Sequence, residues 1–243
     1  MNAVNYFFFG IYPYLCLAVF LAGSLIRFDR DQYTWTSDSS QLLRKGQLRW
    51  GSNLFHIGIL FLFFGHFFGM LTPHFVYEGL ISSGQKQVLA MVSGGLFGLL
   101  GFIGLTLLLH RRLSDPRIRK TSRSTDVALL VLLWLQFALG LATVPLSAQH
   151  LDGSVMLVLA EWAQRIATFR GGAAELMLGQ NPIFKAHMFL GMTVFLVFPF
   201  TRLVHVWSGF ASVGYLLRPY QVVRSRRLNL PAGHTESQRK LPV

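Results

Sequence analysis

The sequence predicts an all-α membrane protein with five transmembrane helices, and three observations lead there. Only 13% of its 243 residues are Asp, Glu, Lys or Arg, where a soluble domain carries about 25%. Mean hydropathy is +0.46. The apolar residues are gathered into long runs. One of them, residues 54–70 (LFHIGILFLFFGHFFGM), has no charged residue and is long enough to cross most of a bilayer's hydrocarbon as a helix.

Each element can be justified in order. Residues 6–26 are the first apolar run. It lacks a basic leading segment and a small-residue cleavage site, so it reads as a retained helix and not a signal peptide. Gly10 and Pro13 lie near its start, where a helix tolerates them. Residues 27–49 form a polar segment of mixed charge. Asn53 precedes the second helix, which ends near Leu71 with Pro73 beyond it as a stop. Residues 73–87 form a connector with a single base, Lys86.

The third helix, about 88–109, carries Gly94, Gly95, Gly98, Gly101 and Gly104. Such a row lets another helix, or a flat cofactor, approach the backbone. A basic stretch, residues 110–123, leads to the fourth helix at about 126–146. Within the connector 147–185, residues 154–169 are too charged to span and read as a helix lying at the membrane surface. The fifth helix is expected over 182–207. The tail beyond it is polar and basic, and its last residues are expected to be disordered. No internal repeat is visible.

The formal net charge of +12 does not indicate nucleic acid, because the bases lie in loops and the tail between apolar runs. Their distribution sets orientation instead. The loops after helices one and three and the segment from Arg202 hold 18 Lys and Arg, against four in the other two connectors. The positive-inside rule then places the N-terminus outside and the C-terminus in the cytoplasm. Helices two and five run antiparallel.

Four histidines fall inside apolar runs: His56 and His66 on helix two, His187 and His205 on helix five. An ionisable ring at membrane depth costs several kcal/mol unless something satisfies it. Two per helix on antiparallel helices suggest four axial ligands for two haems. The topology pairs His66 with His187 on the outer side and His56 with His205 on the inner side. The separations of ten and eighteen residues correspond to about 15 and 27 Å of helix rise, so helices or haem planes must tilt. His187 and His205 share a face of a continuous helix, whereas His56 and His66 are about 80° apart. Gly65 and Gly69 flank His66 where a porphyrin needs room, although glycines there equally serve helix packing. Cys16 is the sole cysteine, so there is neither a C-x-x-C-H haem attachment nor a disulfide within the chain. Haem propionates need basic partners, and Arg202, Arg111 and Arg112 are candidates on the inner side. His74, His110, His150 and His234 lie in loops or the tail and are read as non-ligands.

The residues also carry a resemblance. YFFFGIYPYL (6–15), QYTW (32–35), SNLFHIGIL (52–60), GHFFGMLTPH (65–74), PLSAQHLDGS (145–154), TFRGGA (168–173) and FPFTRLVHVWS (198–208) resemble the gamma subunit of respiratory nitrate reductase. The likeness runs to about residue 227, which makes 1–227 the membrane domain and 228–243 an extension outside the pattern.

The resemblance implies a di-haem cytochrome b in the bacterial cytoplasmic membrane, with haem b ligands at His56, His66, His187 and His205. It implies oxidation of menaquinol or ubiquinol near the outer haem, in a pocket around Lys86, His66, Gly65 and Gly69. His66 would bind iron through one ring nitrogen and keep the other free for a quinol oxygen. Electrons would pass to an iron–sulfur beta subunit and a molybdenum alpha subunit that reduces nitrate. Two other readings stay open on sequence alone. One is the di-haem anchor of a formate dehydrogenase, a hydrogenase or a related quinol-linked enzyme. The other is a haem-free transporter or sensor using the histidines as a proton relay.

Overall fold

The computed structural model describes residues 3–31 and 45–207. The QYTW segment and the C-terminal extension lie outside them. The chain divides into two units, Met1–His205 and Val206–Val243, and the helices and histidines of interest all belong to the first. Among the described residues, five helices are long and apolar enough to span a membrane: Ala3–Arg30, Lys45–Leu71, Ser83–Ser114, Ser124–Ser147 and Pro182–Phe200.

The first span is a composite. Helix α1 (Ala3–Tyr6) passes through a π-helical turn, Phe7–Ile11, into α2 (Tyr12–Asp31). Pro13 has no N–H to give to the carbonyl of Phe9. That carbonyl accepts instead from Trp162 Nε1 at 3.0 Å. The proline is thereby tolerated, and its consequence is a tertiary hydrogen bond.

Helix α3 (Lys45–Leu71) begins well before Asn53, because its first turns are polar and hydropathy does not see them. The short α4 (His74–Tyr77) leads to α5 (Ser83–Ser114). A reciprocal Ser82–Gln85 capping box starts α5, five residues ahead of the expected boundary at 88. Helices α3 and α5 pack antiparallel through glycine. A Cβ on Gly58 would stand 2.6 Å from the Gly101 nitrogen and the Phe97 carbonyl, and one on Gly104 would collide with the Phe55 nitrogen.

Helix α6 (Pro116–Thr121) is capped by Asp115, and α7 (Ser124–Ser147) follows. The expected surface helix is present as α8 (Ser154–Ala167). Asp152 Oδ1 accepts from the Ser154 nitrogen and hydroxyl at its start, which holds that carboxyl below its usual range. Helix α8 packs Trp162 and Ile166 against Phe9, Ala173, Ala174 and Met177. Gln164 Nε2 donates to the carbonyls of Met70 (2.9 Å) and Thr72 (3.3 Å), covering the end of α3.

The expectation of one continuous helix over 182–207 is corrected. Helix α9 (Pro182–Val197) gives way to a 3₁₀ turn over Phe198–Phe200, Thr201 is extended (φ −120°, ψ 177°), and a second 3₁₀ turn covers Arg202–Val204. Pro199 is the physical cause, since it can neither donate to the preceding turn nor avoid its carbonyl. His205 therefore does not lie on the helix that carries His187, and the five-turn argument for a shared face does not apply.

Candidate functional site: two facing histidine pairs

The fold brings together both pairs that the sequence indicates. The rings of His66 and His187 lie 6.2 Å apart between centroids, tilted by 46°. Those of His56 and His205 lie 6.3 Å apart at 71°. Two metal–imidazole bonds of about 2 Å each, plus about 1.2 Å from each bonding nitrogen to its ring centre, give centroids about 6.4 Å apart. Both pairs match the spacing of two rings on one ion.

Three of the four rings are oriented by the backbone. His56 Nδ1 lies 2.7 Å from the Ser52 carbonyl, His66 Nδ1 2.7 Å from the Leu62 carbonyl, and His205 Nδ1 2.5 Å from the Arg202 carbonyl. A carbonyl can only accept, so Nδ1 carries the proton and Nε2 keeps its lone pair as a metal ligand. His187 Nδ1 is buried without a hydrogen bond of standard geometry among the described residues. The Leu62 contact corrects the expectation for His66: its second nitrogen is engaged by the helix backbone and is not free for a quinol oxygen.

Among the described residues there is no group of three or more His, Cys, Asp or Glu that could hold a metal. The histidines stand as two pairs, and a haem b would take the two imidazoles of each. His56 and His66 are exposed on a span with few charges, where an unsatisfied ring is costly. These residues fit two b-type haems.

Gly65 and Gly69 border His66 on α3, and a Cβ on either would meet nothing within 4 Å. They are not packing glycines, unlike Gly58 and Gly104. Lys86 sits in the first turn of α5, at the end of the α3–α5 pair where α3 finishes. Its Nζ is buried, has no hydrogen-bond partner among the described residues and lies 3.5 Å from the centre of the Tyr77 ring. A cation there also faces the positive end of the helix dipole. Such a placement is unfavourable except for the ring face beneath it.

Arg112 and Arg202 converge on one carboxylate. Arg202 binds Asp126 through Nε (2.9 Å) and Nη2 (2.8 Å), and Arg112 Nη1 reaches Asp126 at 3.3 Å and the Ser122 hydroxyl at 3.2 Å. This trio carries one net positive charge beside His205. Sequence alone marks Asp126 only as a helix start; an acid placed among so many arginines is the available signal. Gly140 is a residue that sequence reasoning misses. Its Cβ position lies 3.0 Å from His187 Cε1, a relationship no local pattern reveals. Arg111, the third basic candidate, is adjacent in sequence to Arg112 and buried, at 2% exposure.

Proteins of known family share this chain's sequence over nearly its whole length. A family described as nitrate reductase gamma subunit matches residues 5–226. The chain is 54% identical to the respiratory nitrate reductase 2 gamma chain of Escherichia coli K12 over 225 residues, covering 92% of this chain and 98% of that one. It is 54% identical to the respiratory nitrate reductase 1 gamma chain of the same organism over 226 residues, 93% and 100% of the two chains. Identity to the nitrate reductase gamma chain of Bacillus subtilis 168 is 40% over 219 residues, 89% and 96% of the two. This chain belongs to the nitrate reductase gamma subunit family.

Proposed function

We propose that this chain is the di-haem cytochrome b subunit of a respiratory nitrate reductase in a bacterial cytoplasmic membrane, oxidising quinol and passing electrons to an iron–sulfur beta subunit and a molybdenum alpha subunit. The observation that carries the reading is the pair of 6.2 and 6.3 Å histidine contacts within a set of apolar spans. The basic loops orient it with the His66–His187 pair outward and the His56–His205 pair towards the cytoplasm.

In this proposal His66 and His187 hold one haem b, and His56 and His205 hold the other. When bound, these groups supply one-electron carriers. The protein's part is to fix the rings. Nδ1–H donation to Ser52, Leu62 and Arg202 sets the tautomer and increases the basicity of each coordinating nitrogen. Arg112 and Arg202 supply positive charge for propionates on the inner side, with Asp126 setting their positions.

Menaquinol or ubiquinol is the proposed substrate, and its pocket lies around Lys86, His66, Gly65 and Gly69. Gly65 and Gly69 leave the flank of His66 open to a flat ring. Lys86 Nζ, without a hydrogen-bond partner among the described residues, is the group that would meet a quinol oxygen and stabilise it as its proton leaves. Protons released outside while electrons move inward would build a membrane potential.

The test is a reduced-minus-oxidised spectrum of the purified complex, with redox titration. Two b-type components are expected, one lost in His66→Leu and the other in His56→Leu. A colourless complex would refute the haem assignment and leave the proton-relay reading. Co-purification with a subunit of different chemistry would favour another quinol-linked anchor.

A further inference from the structure

We propose that Phe20, Gly23 and Arg27 on α2 form a saddle that positions the broken segment 198–205, making Arg27 a positioning residue for the inner ligand His205. The inference rests on the haem reading proposed for His56 and His205. The three residues lie on one stripe of α2, at i, i+3 and i+7. Each meets a different part of the break. The Phe20 ring packs edge-on against Phe198 at 4.9 Å and Phe195 at 5.2 Å. Gly23 takes Pro199 so closely that a Cβ there would stand 2.7 Å from Pro199 Cγ. Arg27 Nη1 donates to the Pro199 carbonyl at 2.7 Å and to the Thr201 carbonyl at 3.1 Å.

The chemistry of the break explains why a cation belongs there. Where a helix stops, its last carbonyls lose their N–H partners. Towards the end of a membrane span water is scarce, so a protein donor has to replace them. Arg27 binds the Pro199 carbonyl in the first 3₁₀ turn and the Thr201 carbonyl at the extended residue beyond it, and so ties the two sides of Phe200 together. The next residue, Arg202, is held by Asp126 on α7. The Arg202 carbonyl then orients His205. Arg27 thus acts on the ring through the backbone of residues 199–202. The two Arg27 bonds fall on the far side of Pro199 from α9, the helix that carries His187.

The experiment uses the full chain in its complex. Arg27→Gln, Arg27→Lys and Gly23→Ala are compared with wild type by haem content and by redox titration of the two components. The component that disappears in His56→Leu marks the inner pair. Arg27→Gln and Gly23→Ala are expected to weaken retention of that component about tenfold or shift its potential and its low-spin signal, leaving the other in place. Arg27→Lys, which keeps a cationic N–H donor on a shorter, single-headed side chain, is expected to restore part of the loss. Unchanged titrations in Arg27→Gln and Gly23→Ala would overturn the inference, as would equal loss of both components. A wild-type complex without two b-type components would overturn the haem reading first, which keeps the two failures distinguishable.

Discussion

Gly140 and His187 are set against each other so closely that a Cβ on the glycine would stand 3.0 Å from the imidazole Cε1. Helix α7 is in effect the wall behind that ring. The neighbouring contact is nearly as close, with Gly191 facing Gln136 Nε2 at 3.1 Å from its own Cβ position. Gly140→Val should therefore displace His187 and disturb one of the two b-type components while sparing that of His56–His205. Gly140→Ala should shift the same component less. Absorbance and redox titration of the two variants check this ordering.

Lys86→Ala should slow quinol-dependent nitrate reduction by at least about tenfold, on the scale of a positioned proton-transfer group. Both of the proposed b-type components should persist, because Lys86 is not among the proposed ligands. Electron delivery from a soluble reductant that bypasses quinol should be unaffected. Full quinol turnover in the variant would remove Lys86 from the site.

Asp126→Ala withdraws the carboxylate that Arg202 grips with two nitrogens and Arg112 with one. Breaking a largely buried pair of this kind costs about 3–5 kcal/mol. The expected outcome is a lower melting temperature of the complex and a raised potential for the component of the His56–His205 pair, since positive charge near it is no longer balanced. Asp126→Asn should keep more of the fold and show the potential change more cleanly.

The α3–α5 crossing should tolerate no added bulk. Gly58→Leu drives a side chain into the Gly101 backbone, which cannot move aside as a flexible side chain would. Overpacking of this kind should cost about 1–3 kcal/mol or more. Gly65→Ala, by contrast, should leave the α3–α5 packing intact, since its Cβ meets no protein atom within 4 Å, and should cost less in melting temperature than Gly58→Leu. Thermal denaturation in detergent compares the two.

Trp162→Phe keeps the packing against Ile166 and Ala174 but removes the donor to the Phe9 carbonyl. The net cost should be about 1 kcal/mol for the bond, with more if the carbonyl is left buried and unpaired. A melting-temperature comparison with Trp162→Ala separates the hydrogen bond from the packing.

The spans are legible in the sequence because hydropathy is a property of each residue in place, and the histidines because few ionisable groups interrupt those runs. Boundaries read from hydropathy err where polar turns extend α3 back to Lys45 and α5 back to Ser83. Pro199 is visible in FPFTR, yet the apolar residues around it mask the break. The second nitrogen of His66 is misjudged from sequence because the i−4 carbonyl of its own helix competes for it. Arg27, Asp126 and Gly140 act across 172, 76 and 47 residues of chain respectively, and only the folded backbone sets them beside the site. No periodicity records such distances.

Gln87 concentrates several bonds on one amide. It is 2% exposed, donates to the carbonyls of Ser147 (2.8 Å) and His150 (2.5 Å), and accepts from the Met156 nitrogen at 3.4 Å. The stop of α7, the connector and the start of α8 hang on that side chain. None of them can loosen alone, so their amide protons should exchange with deuterium as a single cooperative block. A lone glutamine would then act as the clasp of one whole rim of the bundle.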